Sequence, residues 1–336
     1  MIADRYRLLR HLEEGGMSWV WLARHMALDA LVAIKIAKPD GFAGHTTSHV
    51  PEACIAAGLR HPAIVTVLDA GYTCWNDAFV VMEYLEGSSL AEVLSRDGRI
   101  TPQAAVGLML PILGALSCCH ERGILHGDIK PGNVFLARER GQTRAKLLDF
   151  GVARAMSTKV SGLTGTPGYM APEQVQEAVT DQRTDIWAAC AVLYEAIAGR
   201  PAIEGPNCAA LLDATTAGEI TPLCDGDGRE SSLWPILARG LRTERMDRFP
   251  SAEALAVELV RWLDAHGAGA EEQRVRPRRV IQWYPEFAAM PRLRLVQNDT
   301  RRAHARSWHA NRYSEAKLAE LDRRAAAAPH SRLSGG

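Results

Sequence analysis

The chain has 336 residues, of which 47% are apolar and 23% charged, and its formal net charge at pH 7 is zero. These values are typical of a globular protein with one two-lobed domain or two modest domains. The seven cysteines contain no CxxC pair, which argues against a disulfide framework or a zinc site. No apolar run approaches 18 residues, so the sequence predicts neither a signal peptide nor a membrane span. We therefore expect a cytoplasmic location.

The charge is unevenly distributed along the chain. Residues 267–336 contain 14 Lys/Arg and 7 Asp/Glu, a net charge of +7, so residues 1–266 carry −7. We expect residues 266–336 to form a basic, Arg- and Ala-rich tail that either contacts an acidic partner or is simply solvated. No nucleic acid partner is expected.

The first 85 residues alternate short apolar runs with turn-forming residues, which predicts a small sheet. The predicted strands are YRLLRHL, WVWLA, LVAIKIA, AIVTVLDAGY and AFVVMEYL, and PEACIAAGLR is a predicted helix between the third and the fourth. After Ser89 the apolar spacing becomes helical. The predicted helices include TPQAAVGLMLPILGALSCCHERG, which begins with a Thr-Pro signal, DIWAACAVLYEAIAGRPAI and PSAEALAVELVRWLDAH.

Short motifs follow one another through most of the chain. They are EEGGMSWVWLA, VAIK, a separate Glu52, VMEYLEG, HGDIKPGN, LLDFG, GTPGYMAPE, DIWAAC and a late Arg248. In this order and spacing they resemble the protein kinases, specifically the bacterial Hanks-type Ser/Thr kinases, over residues 6–265. The resemblance implies an α+β, two-lobed fold with a β-rich N-lobe, residues 1–85, and a larger helical C-lobe, residues 86–265.

The same resemblance implies transfer of the γ-phosphoryl group of ATP to Ser/Thr hydroxyls of proteins, with autophosphorylation. Asp128 would orient the substrate hydroxyl or accept its proton, and Lys130 would steady the γ-phosphate. Asp149 and Asn133 would bind Mg²⁺, or Mn²⁺ in its place. Thr166 would contact both Asp128 and Lys130, as in Ser/Thr-specific members.

Nucleotide binding is expected at a second group of residues. Lys35 would reach the α- and β-phosphates while Glu52 holds its side chain, and Met82 would be the gatekeeper. The remaining members are the phosphate-loop amides of Gly15 and Gly16, the apolar contacts to adenine of Val20, Ala33 and Phe135, and the hinge backbone of Glu83 and Leu85. Structural roles are implied for an ion pair between Glu173 and Arg248 and for Asp185, which would cap the catalytic-loop backbone.

Two motifs depart from the family pattern in ways that bear on function. The glycine-rich loop has Glu13 and Ser18 at two of its three glycine positions, so we expect weaker nucleotide binding. Gly127 replaces the Arg that normally docks a phosphorylated activation loop, which makes loop phosphorylation a weaker on-switch, although Arg154 could partly substitute. The candidate autophosphorylation sites are Thr164 first, then Ser161, Thr158 and Ser157.

Two alternative functions remain open from the sequence. HGDxxxxN is also the catalytic-loop spelling of aminoglycoside and choline phosphotransferases, but those enzymes lack Lys130 and the GTPGYMAPE segment. A pseudokinase scaffold would fit the altered glycine-rich loop. It fits poorly with a chain that keeps Lys35, Asp128 and Asp149.

Overall fold

The computed structural model describes residues 1–16, 18–38, 58–139, 141–149, 154–155 and 165–266. They form a β-rich N-lobe and a helical C-lobe that meet at residues 84–86. The predicted α+β, two-lobed fold is confirmed.

Antiparallel strands build the N-lobe sheet, in the order β1-β2-β3-β5-β4 among the described residues. They are β1 (Tyr6–Glu14), β2 (Ser18–His25), β3 (Ala30–Ala37), β4 (Val67–Tyr72) and β5 (Ala78–Glu83). Because side chains alternate along a strand, one face of β3 buries Val32, Ile34 and Ile36 in the N-lobe core. The opposite face presents Ala33 and Lys35 to the C-lobe.

The strand predicted for β4 begins too early in the chain. Residues 63–66 of the predicted strand AIVTVLDAGY are not in a strand, and β4 begins only at Val67. Ile64 instead forms an isolated bridge to Leu147 of the C-lobe. Ala63, Ile64 and Val65 are all buried, because backbone hydrogen bonds to Leu147 hold this segment against the C-lobe and not because it belongs to the N-lobe sheet. Most of the helix predicted over PEACIAAGLR lies outside the described residues.

The C-lobe contains the remaining elements. Its helices are α1 (Leu90–Asp97), α2 (Pro102–His120), α3 (Pro172–Val175), α4 (Gln182–Ala198), α5 (Cys208–Ala217), α6 (Trp234–Gly240) and α7 (Ala252–His266). Its strands are β6 (Gly87–Ser89), β7 (Ile124–Leu125), β8 (Val134–Glu139), β9 (Gln142–Leu147) and β10 (Arg154–Ala155). Strands β6, β8 and β9 form a small sheet at the base of the cleft, and β7 pairs with β10.

Side-chain caps explain where the first two helices begin. Ser89 Oγ accepts from Glu92 N at 3.2 Å and Glu92 Oε2 accepts from Ser89 N at 2.8 Å, a reciprocal capping box. The predicted Thr-Pro signal operates in α2, where Thr101 Oγ1 accepts from Ala104 N and Pro102 occupies the first turn. These caps fix the helices that follow the hinge.

Helix α2 is apolar around most of its surface. It is the one helix of the described residues that is long and apolar enough to cross a membrane, but 67% of that window is buried inside the protein. A core helix meets the same length and composition criteria as a membrane span. Helix α2 packs with α4 and α7 in the main core of the C-lobe.

Cys190 in α4 has a specific packing partner. A Cβ placed on Gly240 of α6 would come within 2.2 Å of Cys190 Sγ, so the two helices approach closely only because residue 240 has no side chain. The cysteine therefore fills space that the partner glycine leaves open.

A buried ion pair links α3 to the segment before α7. Arg248 donates to both carboxylate oxygens of Glu173 at 2.8 Å, and its exposure is 1%. Its other N–H groups donate to the carbonyls of Arg242, Arg183 and Thr243 at 2.7, 3.0 and 3.1 Å. The guanidinium is fully hydrogen-bonded, as a charge buried in a core requires.

We predict that Glu173→Ala lowers the free energy of unfolding by about 3–5 kcal/mol, because it leaves the Arg248 charge buried without its counterion. Urea unfolding followed by circular dichroism measures the change. Glu253→Ala, which removes an exposed carboxylate on α7, is the matched control and should change stability by less than about 0.5 kcal/mol. Equal effects of the two variants would contradict the structural role of the pair.

Candidate active site

A cleft of about 1560 Å³ separates the lobes and continues along the C-lobe surface. Its lining includes all the residues predicted to contact adenine: Val20, Ala33, Met82, Glu83, Leu85 and Phe135. Val20 and Ala33 lie on the cleft faces of β2 and β3, and Phe135 lies on β8 below them. A flat heterocycle fits between apolar layers of this kind.

The side chain of Glu83 is held away from the nucleotide edge of the cleft. Its Oε1 accepts from Thr66 N at 2.8 Å and from Lys146 Nζ at 2.9 Å. Glu83 N also donates to Thr66 O at 3.0 Å. These bonds fix the start of the hinge, so that its recognition of a ligand falls to backbone groups.

Lys35 and Asp149 meet across the cleft. Lys35 lies on β3 opposite Val20 of β2 and Val80 of β5, and its Nζ donates to Asp149 Oδ1. Asp149 has φ +57°, a conformation that carboxylate side chains tolerate better than most. The pairing partner predicted from the sequence, Glu52, lies outside the described residues, so that pairing stays a prediction.

Asp128, Lys130 and Thr166 form a closed triangle on the C-lobe side of the cleft. Thr166 Oγ1 donates to Asp128 Oδ1 at 2.7 Å and accepts from Lys130 Nζ at 2.8 Å. Lys130 Nζ also lies 2.8 Å from Asp128 Oδ2. The arrangement places a carboxylate and an ammonium side by side, one able to receive a proton and the other to neutralise developing negative charge.

Asn133 closes the catalytic loop on itself. Its Nδ2 donates to the carbonyl oxygen of Asp128 at 2.7 Å, which leaves its amide oxygen as the acceptor of that side chain. Leu148 N donates to Asn133 O at 2.8 Å, so the residue before Asp149 is tied to the loop. Asp149 and Asn133 are therefore held near each other by backbone bonds.

His126 makes a second link between the same segments. Its ring is fully buried, with Nε2 at 3.0 Å from the Leu148 carbonyl and Nδ1 accepting from Asp128 N at 3.3 Å. A carbonyl can only accept and an amide N–H can only donate, so these partners select the neutral tautomer protonated at Nε2. The buried ring thus fixes the spacing between Leu148 and the turn that carries Asp128.

Asp185, near the start of α4, holds the loop from below. Its carboxylate accepts from His126 N at 3.0 Å, from Gly127 N at 2.9 Å and from His120 Nε2 at 2.8 Å. Burial acts to raise the pKa of Asp185. The hydrogen bond from His120, the neighbouring imidazoles of His120 and His126 and the Gly127 N–H outweigh burial and lower that pKa. Asp185 is thus held as a carboxylate.

Gly127 has a backbone conformation that explains the departure from His-Arg-Asp. Its φ is +78°, and its carbonyl accepts from Gln174 Nε2 at 2.9 Å. Gly165, with φ +122°, packs against this bond, since a Cβ there would lie 3.3 Å from both Gly127 O and Gln174 Nε2. Sequence reasoning missed Gln174, and its place directly after Glu173 in the APE motif was the one available signal.

Glu13 places a carboxylate at the mouth of the cleft. It lies opposite Val20 in the β1–β2 register and lines the cleft. Although Glu13 keeps an exposed surface, desolvation by the cleft walls, followed by repulsion from Asp149 and Glu92, raises its pKa. Lys35 acts in the opposite direction. The carboxylate therefore sits where a triphosphate would bring further negative charge.

Comparison with known proteins decides the family. A family model for the protein kinase domain matches residues 6–232. The chain is 36% identical over 278 residues to a probable serine/threonine-protein kinase of Corynebacterium efficiens, an alignment that covers 77% of this chain and 41% of that protein. It is 32% identical over 273 residues to serine/threonine-protein kinase PknB of Mycobacterium tuberculosis, with 77% and 43% covered. The chain belongs to the protein kinase family.

The sequence-based recognition of a bacterial Hanks-type Ser/Thr kinase is thereby confirmed. The small-molecule phosphotransferase and pseudokinase alternatives are not favoured. The kinase spans less than half the length of these relatives. Several predicted features lie outside the described residues, so the predictions made for them stay predictions. They are the candidate phosphorylation sites Thr164, Ser157, Thr158 and Ser161, the side chain of Arg154 and the tail from residue 267.

We predict that Gly127→Ala lowers the kinase's free energy of unfolding by about 1–2 kcal/mol, because a Cβ disfavours the left-handed backbone at φ +78°. Gly132→Ala is the matched control. Gly132 lies in the same loop without a positive φ, and nothing lies within 4 Å of its added Cβ. Thermal unfolding of both variants measures the difference, and equal midpoints would contradict the backbone argument.

We predict that Glu13→Gln lowers the Kd for ATP by roughly three- to tenfold, because it removes one like charge from the cleft mouth. Wild-type affinity should also rise as the pH falls through the raised pKa of Glu13, whereas the affinity of the Gln variant should lose that dependence. Isothermal titration calorimetry between pH 5 and 7.5 checks both. An unchanged pH profile in the variant would show that Glu13 is not the titrating group.

Proposed function

We propose that this kinase transfers the γ-phosphoryl group of ATP to Ser or Thr hydroxyls of proteins, including its own. The triangle of Asp128, Lys130 and Thr166 carries the proposal, because it combines a proton acceptor and a charge stabiliser beside a peptide-binding segment. The relatives named as serine/threonine-protein kinases support the choice of hydroxyl.

In this proposal each side chain of the triangle has one task. Asp128 Oδ1 or Oδ2 orients the substrate hydroxyl and takes its proton as the hydroxyl oxygen bonds to the γ-phosphorus and the bond from that phosphorus to the ADP oxygen breaks. Lys130 stabilises the charge on the transferred phosphoryl group. Thr166 holds the two in register and connects them to Pro167 and Gly168, which line the cleft where a peptide would lie.

Asp149 and Asn133 are proposed to hold Mg²⁺, with Mn²⁺ as a possible replacement. The donor set fits, because a carboxylate and an amide oxygen are hard oxygen ligands, and the Asn133 amide is oriented by its bond to the Asp128 carbonyl. When bound, the cation would neutralise phosphate charge. Lys35, now paired with Asp149, would then be available to the α- and β-phosphates.

Nucleotide binding is proposed for the remaining cleft residues. The backbone of Gly15 and Gly16 approaches phosphate, the hinge backbone at Glu83 and Leu85 binds the adenine edge, and Glu52 supports Lys35. A cytoplasmic location and an acidic partner of the basic tail are also proposed. They rest on the sequence and on the burial of α2 in the C-lobe core.

We predict that Asp128→Asn lowers the phosphorylation rate by roughly 10²- to 10⁴-fold, because the amide cannot accept the hydroxyl proton. Radiolabel transfer from ATP to the kinase itself and to casein measures it. Asp264→Asn, an exposed change on α7, is the control and should keep the wild-type rate. Equal labelling by all three proteins would contradict the proposal.

Two further arms separate the rival functions. Label that appears on an added aminoglycoside but not on protein would favour a small-molecule phosphotransferase. ATP binding by wild type without label on any acceptor, in the presence of Mg²⁺ or Mn²⁺, would favour a pseudokinase. Unchanged unfolding midpoints of the variants show that a lost rate is a chemical effect.

A further inference from the structure

The turn between β1 and β2 is the phosphate-facing loop of the N-lobe, and it retains few glycines. Lys38, which directly follows β3, reaches this loop from the side. Its Nζ donates to Glu14 Oε1 at 2.8 Å and to the carbonyl oxygen of Gly15 at 2.6 Å. Gly15 N donates in turn to Ser18 O at 2.9 Å, which closes the turn. One lysine therefore contacts the loop at two successive residues.

The ammonium group of Lys38 has a third partner. It lies 5.3 Å from the centroid of the Trp19 ring, within cation–π range, and only 19% of its side chain is exposed. The hydrogen bond from Lys38 is the largest of the effects that lower the pKa of Glu14. A surface ion pair between flexible side chains would not show this set of contacts.

Strand register defines the side of the sheet on which these contacts lie. Val20 lies opposite Lys35 and Trp19 opposite Ile36, so Val20 and Lys35 share the cleft face while Trp19 shares the other. Glu14 borders the mouth of the cleft, but it is opposite Trp19 and its strand register assigns it to that other face. Because Lys38 approaches Glu14 and Trp19, it contacts the loop from the face of the sheet that is turned away from the cleft.

Because the peptide bond is planar, the contact from Lys38 to the Gly15 carbonyl also determines the direction of the Gly16 N–H. In a trans peptide the C=O of one residue and the N–H of the next point in opposite directions. If the Gly15 carbonyl is held outward by Lys38, the N–H of Gly16 must point inward, to the face of Val20 and Lys35. Inward amides are what a phosphate needs from this loop.

We propose that Lys38 is a positioning residue that holds the Gly15–Gly16 peptide with its N–H toward the nucleotide phosphates. The proposal rests on the use of ATP by this kinase. The contacts from Lys38 hold this loop in one conformation, although it lacks two of the three glycines that would let the loop adapt to the phosphates. Lys38 does not touch the nucleotide, so its effect should depend on phosphate and not on adenine.

The test compares three ligands by isothermal titration calorimetry: ATP and ADP with Mg²⁺, and adenosine. We expect Lys38→Met to raise the Kd of ATP and ADP by roughly five- to tenfold, the size of about one lost hydrogen bond. Adenosine affinity should stay within about twofold of wild type. Lys38→Arg, which can still donate to both oxygens and lie over Trp19, should restore phosphate-dependent affinity.

Two matched variants separate the carbonyl contact from charge. Arg7→Met removes one exposed positive charge from the same sheet and should leave all three affinities unchanged. Glu14→Gln breaks the ion pair but keeps the Gly15 contact, so it should weaken ATP less than Lys38→Met does. An equal loss in the Glu14 and Lys38 variants would overturn the role of the carbonyl.

Other outcomes are also decisive. Equal weakening of adenosine and ATP would show a general distortion of the lobe, and no change in ATP affinity would show that the contact is incidental. Either result overturns the proposal. Failure of the proposed function itself is separable, because it is measured as missing label transfer by wild type, whereas the role of Lys38 is measured as a change in ATP and ADP affinity.

Discussion

The carboxylate of Asp185 imposes the constraint on which the rest of the active site depends. It lies in the first turn of α4, almost fully buried, and receives the backbone N–H groups of His126 and Gly127. Buried backbone donors must find acceptors, and a carboxylate accepts more strongly than a carbonyl. The turn that presents Asp128 is therefore fastened to the central helix of the C-lobe.

From this point the constraint passes outward through polar contacts. His126 connects the turn to Leu148, and Leu148 in turn is bonded to Asn133, so the positions of Asp149 and Asn133 follow from that of the turn. On the other side Gln174 binds the Gly127 carbonyl. Networks of buried hydrogen bonds specify one arrangement because any alternative leaves a polar group without a partner.

The segment that we propose binds the substrate peptide is tied to the same turn. Thr166 bonds to Asp128 and Lys130, and Tyr169 donates to Glu195 Oε2 at 2.6 Å. Burial, followed by the charge of Glu195, raises the pKa of the Tyr169 phenol, so it remains a donor. The segment that would hold substrate and the residues that would act on it are thus one connected unit.

Motif spacing predicted the family and the two lobes, and it named the adenine-side residues that are found to line the cleft, because those features depend on chemistry that suits few residue types. It did not predict Gln174 or Lys38. A buried glutamine and a half-buried lysine have ordinary residue types, and their roles arise only from contacts over tens of residues. The strand limit at Val67 was missed for a related reason, since apolar residues that face another lobe look like residues of a strand.

The replacement of Arg by Gly127 can now be related to the fold. A residue at φ +78° is strained unless it is glycine, and here the Gly127 N–H donates to Asp185 while the Gly127 carbonyl accepts from Gln174. Within the described residues the loop is held without any side chain at position 127. Glycine thus relieves strain at this position while the surrounding contacts keep the geometry of the loop. The same reasoning applies to the phosphate-facing loop, where the contacts from Lys38 fix a backbone conformation in a loop that has few glycines.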